Sequence, residues 1–143
     1  ATYPIELLVA VRKNGIEGLD QGIYWYIPGE HALKQLSGKD ISDGISGACF
    51  IQEFIKKASA SILLASDDSR TTRMYAERGE RYVYMESGAA MQNISLEAVE
   101  IGLGTVIVGA FDDGAVKELF ELQELNPLAI MPIGHPRDKA FYA

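Results

Sequence analysis

Three apolar runs in the first half of the chain are typical of buried β-strands. Residues 5–11 (IELLVAV), 22–27 (GIYWYI) and 61–65 (SILLA) are short stretches rich in β-branched and aromatic side chains. Continuous runs of this length, bounded by turn-forming residues, favour strands inside a sheet. The pattern therefore predicts three buried strands, whereas residues 31–36 (HALKQL) fit neither the strand nor the helix period clearly.

The middle of the chain shows helical spacing in two places. Residues 43–57 place several apolar side chains near one face, which predicts a helix. Residues 67–81 are charged and lack a clear period, so they are expected to form an exposed connection. Residues 82–103 carry the longest helical signal, and their many small and apolar side chains predict a helix buried on more than one side. Gly102 and Gly104 follow as its stop.

The last quarter predicts two further strands around a short helix. Residues 105–108 (TVIV) and 128–133 (LAIMPI) are apolar runs, and Pro132 favours an edge position or a strand end for the second of them. Asp112 or Asp113 is expected to cap a short amphipathic helix that extends through Leu122. Because helices and strands alternate unevenly, the order favours an α+β fold, in a single domain over residues 1–143.

Charge and composition exclude several classes of function. The 143 residues carry a net charge of −7, which disfavours nucleic acid and anionic membranes as partners because their phosphates would not be neutralised. No secretory signal and no apolar run of membrane-spanning length is present, so a cytoplasmic location is expected. Cys49 is the single cysteine, which rules out a disulfide within the chain and a cysteine-type metal site.

Side-chain chemistry for catalysis is nearly absent. Gly102 and Gly104 follow a predicted helix and precede a predicted strand, whereas a dinucleotide-binding loop has the opposite order. Cys49 lies on the apolar face of its predicted helix, which favours a buried structural thiol. His31 and His135 are over a hundred positions apart and have no carboxylate motif beside them. We therefore expect no catalytic side chain and no metal site, so that a cofactor would carry any reaction.

One segment is specific enough to indicate a family. Residues 81–113 read RYVYMESGAAMQNISLEAVEIGLGTVIVGAFDD. This segment resembles the pattern of the FMN-dependent nitroreductase family: a central helix with E-x-G-x-x-x-Q-N, then G-L-G, an apolar strand and G-x-F-D. Residues 133–136 (IGHP) resemble the family's I-G-x-P ending. Residues 1–11 and 22–28 resemble the branch of the SagB/ThcOx-type dehydrogenases, so the resemblance extends over essentially the whole chain.

The resemblance implies a fold and a flavin site. It implies a nitroreductase-like α+β fold, with a mixed, mainly antiparallel sheet flanked by helices and a long central helix at the interface of a homodimer. It implies FMN as the cofactor, with the backbone N–H of Ala110 directed at flavin N5 and Gly109 and Phe111 on either side. It also implies that Gln52 offers an amide to the pyrimidine edge of the ring.

The remaining implied contacts lie at the two ends of the chain. Arg137 and Lys139 match the place where family members carry a basic residue that binds the flavin phosphate. Thr2 and Tyr3 follow the position of the family's P-S-A-G loop and are expected to reach the ring or the ribityl chain. Family members begin with an Arg-rich segment and a first helix that have no counterpart before Ala1. The chain is therefore expected to be a fragment, one chain of a two-chain product or a shortened homologue.

Three functions follow from the resemblance. The first is hydride transfer through flavin N5 between NAD(P)H and a small organic acceptor. The second is the oxidation of azoline rings in a modified peptide, as in the SagB-like branch. The third is a non-catalytic dimeric fragment that has lost flavin binding, because the basic residues of the family's first segment are absent.

Overall fold

A computed structural model describes residues 1–136 of the chain and contains one six-stranded sheet. The strands are β1 (Ile5–Val11), β2 (Gly22–Ile27), β3 (Ala32–Ser37), β4 (Ala60–Ser66), β5 (Gly104–Thr105) and β6 (Asn126–Gly134). Their order in the sheet is β3-β2-β1-β4-β6-β5, and every neighbouring pair is antiparallel. The α+β prediction is therefore confirmed, and all of the ambiguous residues 31–36 except His31 belong to the edge strand β3.

Helices cover both faces of this sheet. The helices are α1 (Ser42–Ala48), α2 (Glu53–Lys57), α3 (Ser69–Tyr75), α4 (Arg78–Glu100) and α5 (Asp113–Leu119). On one face, the larger core joins residues such as Leu63 and Ile130 of the sheet to residues of α1 and α5. On the other face, Leu64 and Met131 pack against Ala90, Met91 and Ile94 of α4. Successive side chains of β4 and β6 point to opposite faces of the sheet, and each face has its own core. Most residues of these strands are therefore apolar, which explains the continuous apolar runs in the sequence.

The helix predicted over residues 43–57 is in fact two helices separated by a strained turn. Phe50 and Ile51 have φ angles of 58° and 62°, which end α1. Their N–H groups donate to the carbonyls of Gly47 and Ser46, the pattern of a Schellman cap. Since glycine usually occupies the left-handed position of such a cap, a sequence with Phe and Ile there gives no stop signal.

The exposed connection predicted over residues 67–81 is also wrong, because it contains α3 and the start of α4. Asp67 lies two residues before α3 and accepts hydrogen bonds from the backbone N–H and the hydroxyl of Ser69, the first residue of the helix. Thr71 is the only buried residue of α3, since this helix packs mainly along α4. A helix that buries one small polar side chain leaves no apolar period in the sequence.

The long helix α4 is confirmed, although it begins four residues earlier and ends three residues earlier than predicted. Gly102, with φ of 76°, follows it in the left-handed conformation, and Leu103 N–H donates to the Ala98 carbonyl at 2.7 Å. The expected burial on more than one side is wrong for the single chain. Only one side of α4 meets the sheet, whereas Tyr84 and Leu96 are 62% and 59% exposed.

The strand predicted over residues 105–108 is much shorter, because its partner contains Pro132. Ile130 and Val108 exchange both backbone hydrogen bonds, so every second residue of β6 is directed toward the β5 side. Pro132 is such a residue and has no N–H to donate, which interrupts the β5–β6 ladder after Thr105. β6 itself lies between β4 and β5, so Pro132 is not on the edge strand of the sheet.

The cap prediction for α5 is confirmed at Asp112, whose Oδ1 accepts a hydrogen bond from Ala115 N–H at 2.8 Å. The helix ends at Leu119, three residues before the predicted end. Within residues 1–136, none of the helices combines the length and the apolar character that crossing a membrane requires.

Candidate functional site

The loop from Gly109 to Asp112 is anchored at both ends and carries backbone N–H groups without hydrogen-bond partners among the described residues. Its start is held by the Val108–Ile130 bridge, and its end by the hydrogen bond from Asp112 N–H to the Ala48 carbonyl at 2.9 Å. Gly109 and Ala110 are exposed, and the N–H groups of residues 109–111 have no hydrogen-bond partner within residues 1–136. Three free donors in an anchored loop can bind acceptor atoms of a ligand without rearrangement.

The strained turn after α1 lies next to this loop, because Ala48 carries the carbonyl that Asp112 binds. Phe50 and Ile51 expose 69% and 77% of their surface in spite of their apolar side chains. A β-branched residue in the left-handed region is rare, and strain of this kind is concentrated at ligand-binding and partner-binding sites. The turn therefore adds an apolar, exposed border to the donor loop.

Gln52 forms the junction between this turn and α2. Its side-chain amide donates to the Cys49 carbonyl at 2.9 Å, and its backbone carbonyl accepts from the Ser46 hydroxyl at 3.0 Å. One donor of the amide is thus engaged in holding the turn, while Oε1 accepts no hydrogen bond among the described residues. The structure brings Gln52 to the same side of the fold as the donor loop.

A groove of about 720 Å³ lies at the end of the sheet where β4 begins and β6 ends. Helix α2 forms one wall, and residues 104–106 form another. Thr105 Oγ1 is buried there without a hydrogen-bond partner among residues 1–136. The lining residues are Glu53, Phe54, Lys57, Ala58, Ser59, Gly104, Thr105, Val106, Pro132, Gly134, His135 and Pro136. Arg137 and Lys139 follow Pro136 in the sequence and lie outside the described residues.

Thr2 and Tyr3 lie at the opposite end of the sheet from this groove. The Thr2 and Thr71 hydroxyls are hydrogen-bonded at 2.8 Å, and Arg70 donates to the Tyr3 carbonyl at 2.9 Å. Ser66 pairs with Ile5 at this end and Ala60 pairs with Ile133 at the groove end, so the two ends are about 20 Å apart along β4. Within one chain, Thr2 and Tyr3 are therefore not brought together with the groove.

A polar network fixes this N-terminal segment. The Glu6 carboxylate accepts from Trp25 Nε1 at 2.8 Å and pairs with Arg70 at 2.6 Å, while Arg70 also contacts Asp67 at 3.2 Å. The hydrogen bond from Arg70 to Glu6 is the main reason that the pKa of Arg70 is raised. The network positions residues 2–4 against α3. It could not be predicted from the sequence, because its four residues come from three separate segments.

Cys49 is fully buried, and burial raises the pKa of its thiol, so it is the inert structural cysteine that was predicted. His31 Nδ1 is hydrogen-bonded to the Tyr26 hydroxyl at 3.0 Å, while His135 lines the groove. Within residues 1–136, no three His, Cys, Asp or Glu side chains are grouped in a way that would hold a metal ion.

The family described as "Nitroreductase family" matches residues 2–135. The chain belongs to this family. The resemblance found in the sequence and the nitroreductase-like fold are thereby confirmed. Nitroreductase family members are oxidoreductases that typically bind flavin and are generally dimeric.

Individual relatives agree with this assignment. A provisionally named nitroreductase of Methanocaldococcus jannaschii is 41% identical over 134 residues, which cover 94% of this chain and 66% of the relative. The microcin B17-processing protein McbC of Escherichia coli is 26% identical over 145 residues, covering 96% and 53%. The crystal structure of a provisionally named nitroreductase from Anabaena variabilis has a TM-score of 0.86 at 30% identity, covering 94% of this chain and 27% of that chain.

The chain thus spans about two thirds or less of the length of these relatives. The relatives contain further segments beside the part that this chain matches. The activity, the substrates and the partners of the whole protein are therefore matters for proposal.

Proposed function

We propose that this chain is the main part of an FMN-dependent oxidoreductase that moves hydride between NAD(P)H and a small organic acceptor. The observation that carries the proposal is the anchored loop with free N–H groups at residues 109–111, in a chain of a flavin-binding family. When bound, the flavin supplies the hydride chemistry, and the protein supplies binding, orientation and electrostatics.

In this proposal, the Ala110 N–H donates to N5 and fixes the position of the ring. Gly109 and Ala110 have no bulky side chain to obstruct a flat ring, and a Cβ placed on Gly109 would meet no atom within 4 Å. The Phe111 side chain packs against the core and anchors the loop there. The free Oε1 of Gln52 is an acceptor for a ring N–H at the pyrimidine edge.

The groove suits the phosphate end of the cofactor. Residues 105 and 110 are joined by a continuous stretch that spans at most about 17 Å, so the side arm of a ligand with its ring at Ala110 is within reach of the groove. Arg137 and Lys139 follow directly on the groove residue Pro136, and a basic side chain binds phosphate through charge-assisted hydrogen bonds.

We further propose that the active form is a homodimer built on α4. Tyr84, Met85, Leu96 and Val99 are each more than half exposed on this helix, although all are apolar or aromatic. Exposed apolar patches of this kind mark interaction surfaces. We propose that in this dimer Thr2 and Tyr3 of one copy contact the flavin of the other, because within one chain they lie at the far end of the sheet from the groove.

Azoline oxidation in a peptide is the second candidate. It is favoured by the similarity to McbC, a microcin-processing protein, over 96% of the chain. The two candidates share the flavin and differ in the substrate. The non-catalytic fragment is the third candidate, and it predicts a protein that dimerises without flavin.

An absorbance spectrum of the purified complete gene product distinguishes these proposals. The two visible bands of oxidised flavin, and their loss when NADH or NADPH is added without oxygen, are expected for the first proposal. Flavin that is reduced by neither dinucleotide, combined with turnover of an azoline peptide, would favour the second. A folded dimer that retains no flavin after incubation with excess FMN and removal of the free FMN by gel filtration would refute both enzymatic proposals.

A further inference from the structure

A hollow of about 520 Å³ with an excess of positive charge lies beside α1 and α2. Four basic side chains and two carboxylates line it, although the chain as a whole has a net charge of −7. The basic residues are Arg12, Lys13, Lys56 and Lys57, and the acidic residues are Asp40 and Asp43. A local excess of positive charge on an acidic protein raises the concentration of anions at that place.

The two carboxylates of this hollow already have partners. Asp43 pairs with Lys56 at 2.9 Å. Asp40 accepts hydrogen bonds from the backbone N–H and the hydroxyl of Ser42 and from the backbone N–H of Lys13. Burial opposes the ionisation of Asp40, but these hydrogen bonds, together with a nearby guanidinium group, outweigh it and lower the pKa of the carboxyl, so the group is an anion at neutral pH.

Three cations of the hollow remain for a ligand. Lys13 and Lys57 have no ion-pair partner within residues 1–136. Arg12 Nε donates to the Ala58 carbonyl at 3.1 Å, which fixes the guanidinium group, while its Nη2 has no hydrogen-bond partner within the same residues. With Asp40 counted against them, these cations leave a surplus of two positive charges, and a phosphate monoester carries a charge of about −1.5 to −2 at pH 7. The hollow thus matches a phosphate monoester in charge and in the type of donor.

The hollow lies at the far end of α1 from the donor loop. Ala48, at the end of α1, accepts the hydrogen bond from Asp112, whereas Asp43, near the start of α1, lines the hollow. These two residues of α1 are separated by a helical rise of about 8 Å. Lys57 lines both the hollow and the groove that is proposed for the flavin phosphate. The hollow is therefore within reach of a ligand that extends from the donor loop beyond the groove.

The chemistry of hydride transfer indicates which phosphate belongs in the hollow. A dinucleotide donates hydride from its nicotinamide, which has to lie against the flavin ring at the donor loop. One ribose separates the nicotinamide from the diphosphate, as the ribityl chain separates the flavin ring from its own phosphate, so these phosphates lie at similar distances from the ring. The adenosine lies farther away, and only in NADPH does it carry a phosphate monoester, on its 2′-oxygen.

We infer that Arg12, Lys13 and Lys57 bind the 2′-phosphate of NADPH and that the enzyme therefore prefers NADPH to NADH. This inference rests on the proposed flavin function and narrows its electron donor to one dinucleotide. Because the two dinucleotides differ only in this phosphate, the preference depends on the charge of the hollow and not on the flavin site.

The first test follows the anaerobic reduction of the bound flavin in the FMN-loaded complete gene product over a range of NADPH and NADH concentrations. Wild type is expected to reach half of its maximal reduction rate at an NADPH concentration about ten-fold or more below that for NADH, since charge-assisted hydrogen bonds make the difference. Lys13→Gln is expected to raise this concentration about three- to ten-fold for NADPH, because water and salt screen an exposed charge, and to leave NADH unchanged. Lys34→Gln is the matched control, because it removes the same charge from the edge strand β3, outside the lining of the hollow, and should change neither value.

A second measurement does not depend on turnover. Adenosine 2′,5′-bisphosphate and adenosine 5′-monophosphate, which differ in the 2′-phosphate, are titrated into the same protein in a calorimeter. The bisphosphate is expected to bind wild type more tightly, and Lys13→Gln should remove much of that advantage. Equal affinities of wild type for the two nucleotides would count against a site for the 2′-phosphate.

The remaining outcomes separate this inference from the proposed function. Equal reduction of the flavin by NADPH and NADH in wild type, or a preference for NADPH that Lys13→Gln leaves unchanged, would overturn the inference while the proposed function stands. A Lys13→Gln protein that binds FMN less tightly but riboflavin as before would assign the hollow to the flavin phosphate, which also overturns the inference. A protein that retains no flavin, or whose flavin neither dinucleotide reduces, would refute the proposed use of NAD(P)H and this inference with it.

Discussion

Two neighbouring residues, Phe50 and Ile51, hold the left-handed conformation that usually requires glycine. Backbone hydrogen bonds to Gly47 and Ser46 fix them, and side-chain bonds of Ser46 and Gln52 close the turn behind them. These four bonds offset the steric cost that a branched Cβ pays in this region. The conformation of this turn is thus set by its hydrogen bonds and not by glycine at the left-handed positions.

Ile51→Gly is expected to stabilise the protein. The Ile51 side chain is 77% exposed, so little packing is lost, while relief of the left-handed strain is worth about 1 kcal/mol. The free energy of unfolding in urea measures the effect. Ile51→Ala is the control, because it removes the same surface but retains a Cβ at positive φ. Equal changes in both variants would show that the backbone is not strained here.

Ala110→Pro tests the donor loop directly, since proline removes the backbone N–H that is proposed to bind flavin N5. We expect the folded proline variant to bind FMN weakly or to have a shifted reduction potential. Ala110→Gly keeps the N–H and should remain near wild type in both respects. Circular dichroism establishes that the proline variant is folded, and a folded variant with unchanged affinity and potential would place the ring elsewhere.

At the level of elements, the carboxylate of Asp67 accepts hydrogen bonds from the first residue of α3, Ser69. The pKa of Asp67 is lowered, first by the hydrogen bond from the Ser69 hydroxyl and further by Arg70, against a smaller opposing effect of burial. A lowered folded-state pKa means that the stabilisation is fully present above the unfolded pKa and is lost as the pH falls through the folded pKa.

Asp67→Asn is therefore expected to be less stable than wild type near neutral pH and to lose less stability between about pH 5 and pH 2. Unfolding free energies measured across this range give the two slopes. Asp113→Asn is a matched control, because the Asp113 side chain accepts no hydrogen bond among the described residues. If the slope of Asp67→Asn equals that of wild type, then the carboxylate does not contribute to the acid sensitivity.

Strands that are buried on both faces of the sheet could be predicted from the sequence. The prediction failed for a helix that buries few side chains and for a strand that is shortened by its neighbour. β1, β2 and β4 are continuous apolar runs because helices cover both sides of the sheet. α3 escaped prediction because it buries only Thr71. β5 was predicted too long because the missing N–H of Pro132 acts across the sheet, at a register that no local pattern shows.

At the level of the whole molecule, the site was predictable only in part. The donor loop at residues 109–112 was recognisable from its motif, since Asp112 caps a helix and the glycine is part of a family pattern. The groove beside α2 was not, because its walls come from separate segments that meet only on folding. The same holds for the free face of α4, where small and apolar side chains predicted burial that the single chain does not supply.

That free face leads to the last prediction, which concerns assembly. If α4 is the dimer interface, Leu96→Arg should convert the dimer to a monomer, because an unpaired charge would be buried against the second copy. The single chain should remain folded, since Leu96 is 59% exposed in it. Light scattering at micromolar concentration measures the mass, which for this chain alone is expected to fall from twice 15.6 kDa to 15.6 kDa.

Ala90→Leu provides the contrast on the opposite side of the same helix. Ala90 packs against the sheet, so overpacking there should lower the unfolding free energy by about 1–3 kcal/mol without changing the mass at concentrations where the protein is folded. The two variants thus separate the covered side of α4 from the exposed one. A wild-type protein that is monomeric at these concentrations, or a Leu96→Arg variant that remains dimeric, would show that α4 does not form the interface, and Thr2 and Tyr3 would then lose their proposed route to the flavin.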